Sequence, residues 1–427
     1  MSIDQKKNFK RVKNTQFLVT ASSLSLMACG GGRPKDGSAE KNSNGFQNGS
    51  GENNNTGFQN DFEENNSNAN SSENLPNSVS FGLTNDMVID SMTHGVKWLL
   101  PKQESFGYSI AGSDDGVLFK DKDVIKNVLD EVMQSIHSFT GVNLVYAGDF
   151  KNTQAAYSSN IEFLVSLDGT SKGQLFNDAS PLSNPPVYAS DILAVGGPPI
   201  IGAEIGRLIG LGTSFEGNVI LNYDHFIVNE SYTDATLDGG YFKKLLLHEF
   251  GHVFGVKHPH DDGANGRPKF GDYGALSKTL DNDLYTVMSY DDTHGGDFDL
   301  AKYDPSSYMV LDVLTLQYLY GKNLNFNAGN TTHKIKNIEA FRSLWDPSGN
   351  NTVDISSSNT DWTVVLPYFV WSDLADEPTG YAVTYNDTDI SIPTDLAWLI
   401  GDFDNIKGGS GGETFVGNSL DNNLDGG

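Results

Sequence analysis

Residues 245–258, LLLHEFGHVFGVKH, place three histidines and one glutamate among apolar residues. The apolar positions predict a buried helix over about 241–254. His248 and His252 are four residues apart, so they share one face of that helix. Gly255 can adopt the positive φ that ends a helix sharply, which lets the chain turn back and bring His258 toward the other two.

This spacing predicts a metal site. Two imidazoles on one helical face can both bind one zinc ion at about 2.0–2.1 Å. Glu249 is displaced by about 100° around the helix, so it can lie beside a zinc-bound water without ligating the metal. Three protein ligands, His248, His252 and His258, leave a fourth position open for water, as in catalytic sites.

The alternative is that these are ordinary histidines of a helix surface. A bare His-Glu-x-x-His arises by chance in about one chain in a hundred, and the added glycine and third histidine lower that by about a further thousandfold. We therefore favour the metal site.

Composition limits the other classes of function. The chain has 427 residues, enough for two or three domains. Its net charge of −27 disfavours nucleic acid and anionic membrane surfaces as partners and suits cations such as calcium. The hydrophobic fraction of 37% predicts that part of the chain is disordered.

The first 78 residues predict export and a tether. Basic residues at positions 6–13 precede a short apolar run that ends in LMAC, so residues 1–28 are predicted to be a signal peptide of the lipoprotein type. Cys29, the one cysteine, would carry the lipid, and an ordinary secretory signal is the alternative. Residues 29–78 are rich in Asn, Gly and Ser, which predicts a disordered spacer.

Periodicity predicts mixed structure beyond the tether. Apolar spacing over 121–139 and 306–320 predicts two more helices besides the metal-site helix. The predicted strands are 106–110, 142–148, 161–167 and 219–228. From 322 onward, short strands between Asn, Asp, Gly and Ser turns predict an all-β tail.

A second motif, YTVMSY at 285–290, follows the histidines. HEFGHVFGVKH followed by a methionine-containing turn resembles the metzincin metallopeptidases, and MSY resembles their serralysin branch. The other matching segments are GVKHP at 255–259, GGDFD at 295–299, LDVLTLQYLYG at 311–321, SLWDPSGNNTVDIS at 343–356 and FDNIKGGSGGETFVGNSLDN at 403–422.

The resemblance implies an α+β fold in two parts. The first is a metzincin-type catalytic domain at 79–321, with a twisted mixed sheet and three main helices. The second is an all-β, β-roll-like, calcium-binding domain at 322–427. Met288 would form a hydrophobic floor under the zinc. Tyr290 would be a reversible zinc ligand that also stabilises the oxyanion, with Glu249 as general base.

The calcium-binding part departs from the family pattern. The repeat signature has Asp where this chain has Glu413, and Asn351 stands where the family usually has Asp. We expect structural calcium in an unknown number, with Asp346 and Asp404 as candidate ligands. One complete repeat precedes Gly427, and serralysins are exported through a C-terminal signal. Two alternatives follow: general export with lipid anchoring, or a truncated product.

The sequence thus predicts a zinc metalloendopeptidase with one catalytic zinc ion. It would cleave extracellular polypeptides as a monomer, on a bacterial envelope surface through lipid at Cys29, or after secretion. The competing functions are a catalytically vestigial, calcium-dependent surface binding protein and a structural surface-layer component.

The remaining histidines receive no catalytic role from sequence. His94, His137 and His333 are isolated, and His225 is at most a substrate contact at the rim of the cleft. His260 and Asp261 are near the third ligand but out of register with it, so they too are left without a role.

Overall fold

The computed structural model describes most of the chain beyond residue 75. The described residues are 29–30, 76–113, 116–167, 192–199, 216–222, 239–263, 266–274, 277, 279–291, 304–386 and 389–427. The predicted signal peptide lies outside them, as do residues 31–75 of the predicted tether.

The first part of the chain is built on a six-stranded mixed sheet. Its order is β1-β7-β8-β6-β4-β5, in which β5, β4, β6 and β8 run parallel, while β7 and β1 are antiparallel to their neighbours. A separate pair, β2 and β3, lies at its start. The bounds are β1 Cys29–Gly30, β2 Ser78–Ser80, β3 Val96–Trp98, β4 Ser105–Ala111, β5 Asn143–Phe150, β6 Phe163–Leu167, β7 Ile192–Gly196 and β8 Asn218–Leu221.

Among the described residues, three long α-helices and two short ones accompany this sheet. The bounds are α1 Met87–Met92, α2 Lys122–Thr140, α3 Thr153–Tyr157, α4 Tyr241–Val253 and α5 Val310–Tyr320. The three predicted helices correspond to α2, α4 and α5. α2 buries one apolar stripe, whereas α4 is buried almost all round, because it packs on β7 and β8 on one side and against α2 on another.

The part beyond residue 322 is all-β among the described residues, as predicted. A five-stranded sheet has the order β10-β14-β13-β12-β16, and a four-stranded parallel sheet has the order β17-β15-β11-β9. The bounds are β9 Thr332–Lys334, β10 Phe341–Asp346, β11 Thr352–Asp354, β12 Thr363–Phe369, β13 Thr379–Asn386, β14 Asp389–Gly401, β15 Asn405–Lys407, β16 Thr414–Val416 and β17 Asn423–Asp425.

One hydrophobic core joins the two parts. Trp345, Leu396 and Trp398 from the β-rich part pack in the same buried cluster as the apolar residues of α2, α4 and α5. Trp398 also donates from its indole Nε1 to the carbonyl of Leu284 at 2.7 Å. A second cluster lies wholly within the β-rich part. The structure is therefore an α+β region followed by a β-rich region. No helix of the described residues is long and apolar enough to span a membrane.

Candidate metal centre

The C-terminal end of α4 positions the third histidine. Gly255 has φ +87°, and the backbone N–H groups of Gly255 and Val256 both donate into the last helical turn at 2.9 Å. This is the glycine-based helix stop that the sequence predicts. The chain then reverses, so His258 returns toward His252 within six residues.

Three imidazole nitrogens converge at this point. The Nε2 atom of His258 lies 3.0 Å from Nε2 of His248 and 2.9 Å from Nε2 of His252. All three side chains are buried. Nitrogens about 2.0–2.1 Å from one tetrahedral zinc ion would lie about 3.3 Å apart, so the spacing fits a single zinc ion.

The other ring nitrogen of each histidine has a fixed acceptor. The Nδ1 contacts are His248 to the Val287 carbonyl at 2.8 Å, His252 to the Val256 carbonyl at 3.0 Å and His258 to the Asp261 carboxylate at 2.7 Å. A carbonyl only accepts, so Nδ1 carries the hydrogen and Nε2 keeps its lone pair. Three lone pairs at this separation repel one another unless a cation lies between them.

Burial keeps these imidazoles neutral. It lowers the pKa of His252 to about 4 and the pKa values of His248 and His258 well below the ordinary histidine value, with mutual repulsion among the rings adding to the effect for the latter two. Neutral imidazole is the form that binds a metal. The chemistry of this donor set therefore fits a zinc ion.

Glu249 lies next to these ligands on α4. Its side chain is fully buried, and neither carboxylate oxygen makes a hydrogen bond of normal geometry with the described residues. Burial raises the pKa of Glu249 to about 8, against a smaller lowering by the backbone N–H of Gly196. An unpartnered buried carboxylate is costly for stability, which points to a functional role.

Met288 packs directly beneath α4. A Cβ atom on Gly251 would lie 2.4 Å from the Met288 sulfur, so glycine at this position of the helix allows the close contact. Met288 is fully buried. It therefore lies against the turn of α4 that carries His248 and His252, as expected of a hydrophobic floor.

Asp312 ties the methionine-containing turn to the start of α5. Its carboxylate accepts hydrogen bonds from the hydroxyl of Thr286 at 2.6 Å, the N–H of Val287 at 2.8 Å and the N–H of Met309 at 3.0 Å. Val287 in turn supplies the carbonyl that orients His248. Asp312 is thus linked to the candidate metal centre through the backbone of Val287.

Tyr290 lies at the open side of the three histidines. Its ring centroid is 4.5 Å from that of His258 and 5.7 Å from that of His248, with the His248 ring nearly parallel. Tyr290 is 39% exposed. This location is compatible with the role that the family resemblance implies.

Two residues that sequence reasoning left without a role belong to this site. Asp261 binds Nδ1 of His258, and His260 stacks on His258 with ring centroids 5.1 Å apart and an interplanar angle of 6°. The chain there is a loop, so helical spacing does not predict these contacts. The carboxylate three residues after a histidine was the available signal.

The candidate calcium ligands are held by protein donors. Asp346 pairs with Nε2 of His333 at 2.8 Å, and Asp404 accepts the N–H of Asn351 at 2.7 Å. Among the described residues, neither belongs to a group of three acidic or imidazole side chains whose ligand atoms lie within 4.8 Å of one another. Asn351 also donates from its side-chain amide to the Asp402 carbonyl, which an aspartate could not do.

The structure also gives the neighbours of two other histidines. His94 is buried with its ring centroid 6.0 Å from that of His252. His137 donates from Nδ1 to the carbonyl of Val142, in the loop after α2, at 2.9 Å. His225 lies outside the described residues.

The chain is similar to known metalloproteases. It is 30% identical to metalloprotease AprA of Pseudomonas entomophila over 220 residues, which cover 47% of this chain and 42% of the relative. It is 27% identical to metallopeptidase AprA of Pseudomonas marginalis over 242 residues (52% and 46% of the two chains) and 27% identical to serralysin of Proteus mirabilis over 201 residues (44% and 37%). No family model matches the chain.

All three of these relatives are metalloproteases of the serralysin and AprA group. The chain spans less than half the length of the curated relatives it matches, and the similarity covers about half of this chain. The chain is therefore a distant relative of serralysin-type metalloproteases, with a histidine triad of the kind a metalloprotease requires.

Proposed function

We propose that this protein is a zinc endopeptidase of the serralysin type. His248, His252 and His258 would hold the metal. The observation that carries the proposal is the convergence of three imidazoles, in which Nε2 of His258 lies within 3.0 Å of Nε2 of both His248 and His252. Beside them is the buried carboxylate of Glu249, which makes no hydrogen bond of normal geometry with the described residues.

Glu249 would act as the general base and acid. A zinc ion held by the triad would supply a Lewis acid and a water of pKa near 7. Glu249 accepts a proton from the attacking water and returns it to the leaving amine of the peptide. Burial makes the ionised carboxylate a stronger base, so it accepts the proton readily and holds it between the two steps. Tyr290 donates its phenolic hydrogen to the developing oxyanion.

The substrate would lie extended along β7. β7 is paired with β8 on one side, and in the structure the two-residue β1 pairs with its other side in the antiparallel sense. An extended polypeptide that takes the place of β1 would pair with β7 through main-chain hydrogen bonds. Because that mode uses few side-chain contacts, we expect broad specificity toward polypeptides.

The finer features of the resemblance belong to this proposal. The short, stacked parallel strands β9, β11, β15 and β17 support a β-roll-like domain at 322–427 after a catalytic domain at 79–321. Calcium in the tail, lipid at Cys29 of an envelope-bound monomer, and the alternative of secretion stay predictions from sequence.

Replacement of Glu249 tests the mechanism. The variant E249A should bind one zinc ion as the wild type does and lose nearly all cleavage of casein, because the carboxylate moves protons and does not bind metal. The comparison variant H258A should lose zinc affinity itself. Loss of zinc from folded E249A would contradict the proposed role, since it would make Glu249 a ligand.

A further inference from the structure

His260 and Tyr290 form one aromatic arrangement with the third histidine. The His260 ring is stacked on His258, and its centroid lies 4.8 Å from that of Tyr290 at an interplanar angle of 49°. Tyr290 therefore has His258 on one side and His260 on another, at 4.5 and 4.8 Å. Distances of this size are those of ring packing.

Asp281 fixes both partners of this contact. Its Oδ1 atom accepts a hydrogen bond at 2.6 Å from the hydroxyl of Ser289, the residue before Tyr290. The same atom lies 3.3 Å from Nδ1 of His260. Asp281 is largely buried, with 10% of its side chain exposed. The same carboxylate therefore holds the backbone that carries Tyr290 and the ring that packs against it.

His260 contacts Tyr290 through ring packing. Nε2 of His260 is buried and makes no hydrogen bond with any described residue. A phenylalanine at this position would keep the ring contact, losing the Nδ1 contact with Asp281 but no hydrogen bond at Nε2. An alanine would remove the contact.

We propose that His260 is a positioning residue for Tyr290. Held by Asp281 and stacked on His258, its ring forms the wall that keeps the phenol of Tyr290 beside the histidine triad. This inference rests on the proposed function, because the phenol must be held where the oxyanion forms for the position to matter. Without the His260 ring, Tyr290 has fewer packing contacts that hold its ring, so fewer molecules have the hydroxyl in place.

A double-mutant cycle separates this role from direct substrate contact. H260A should lower kcat about tenfold and leave KM and zinc affinity within about twofold, since the freed side chain must be reordered in the transition state. H260F, the matched control, should keep kcat within about threefold of wild type. In a Y290F background, H260A should have less than a twofold effect. An equal loss in both backgrounds, or wild-type kcat in H260A, would overturn the proposal.

A second measurement needs neither zinc nor activity. With 3-fluorotyrosine placed at position 290 of the metal-free protein, the fluorine resonance should be displaced by the neighbouring rings in wild type and H260F. In H260A it should move toward the value of free fluorotyrosine. An unchanged resonance in H260A would refute positioning by His260. Failure of the proposed function would show instead in the wild type, as absence of bound zinc or of peptide cleavage.

Discussion

At the residue scale, the metal centre depends on partners that the sequence does not show. Spacing on a helix predicts that His248, His252 and His258 meet, because i,i+4 neighbours and a glycine stop are local features. The atoms that orient their rings come from elsewhere. The Val287 carbonyl is 39 residues from His248 in the chain, so only the folded chain reveals that contact.

Asp261 is expected to tune the metal affinity. Its carboxylate fixes the tautomer and orientation of His258, and loss of such a partner typically weakens binding 10–100-fold. The variant D261N should therefore weaken zinc binding by about that factor, measured by competition with a chelator. The control D262N, which removes only an exposed ion pair with Lys269, should leave the affinity unchanged. Equal affinities for D261N and D262N would contradict the role of Asp261.

At the element scale, the helices show where local patterns suffice. The predicted helices at 121–139 and 241–254 agree with α2 and α4 within about a residue at each end. The helix predicted from 306 begins only at Val310. Ser306 and Ser307 instead make hydrogen bonds with Phe341 and Ser343 of a distant strand. The spacing of apolar residues within 306–320 cannot predict such a contact. The short α1 was missed, although Asp86 caps it through two N–H groups.

Gly255 tests the link between the end of α4 and the site. An alanine there is strained at φ +87°, and its Cβ would lie 2.5 Å from the Val96 carbonyl. G255A should destabilise the fold by about 2–4 kcal/mol and weaken zinc binding, because His258 follows the displaced turn. G266A is the control: φ is +73° but the Cβ meets open space, so about 1 kcal/mol is expected. Thermal unfolding that ranks G266A as the worse variant would refute this.

Asp312 makes the stability of the turn depend on pH. Burial raises its pKa to about 7, so its ionisation opposes folding. The contribution of Asp312 to the free energy of unfolding is greatest below the ordinary aspartate pKa of about 3.9, and it falls as pH rises toward 7. Between pH 5 and 8 the wild type should lose about 2–3 kcal/mol more unfolding free energy than D312N, an isosteric variant that can keep the hydrogen bonds. Parallel urea-unfolding results for the two proteins at both pH values would contradict the assignment.

At the scale of the whole molecule, the order of the two parts was predictable and their joining was not. The change from helical periods to short strands near residue 322 marks the β-rich part. The shared core is made by residues such as Trp345 and Trp398, which meet the helices only in three dimensions. A composition signal cannot specify such long-range packing.

Calcium provides a prediction for the β-rich part. If calcium binds among its acidic turns, chelation should expose residues 340–427 to protease more than the α+β part, because the carboxylates then repel without a counter-ion. Limited proteolysis with mass spectrometry in calcium and in chelator measures this. Identical protection would mean that the protein donors to Asp346 and Asp404 already suffice.

The central claim is best tested by metal content and turnover measured on one sample. The purified protein should hold one zinc ion per chain and cleave casein. Chelation should abolish both, and one equivalent of zinc should restore cleavage. A folded protein that binds no zinc, or holds zinc without cleaving any unstructured polypeptide, would contradict the account and favour a calcium-dependent binding or structural surface protein.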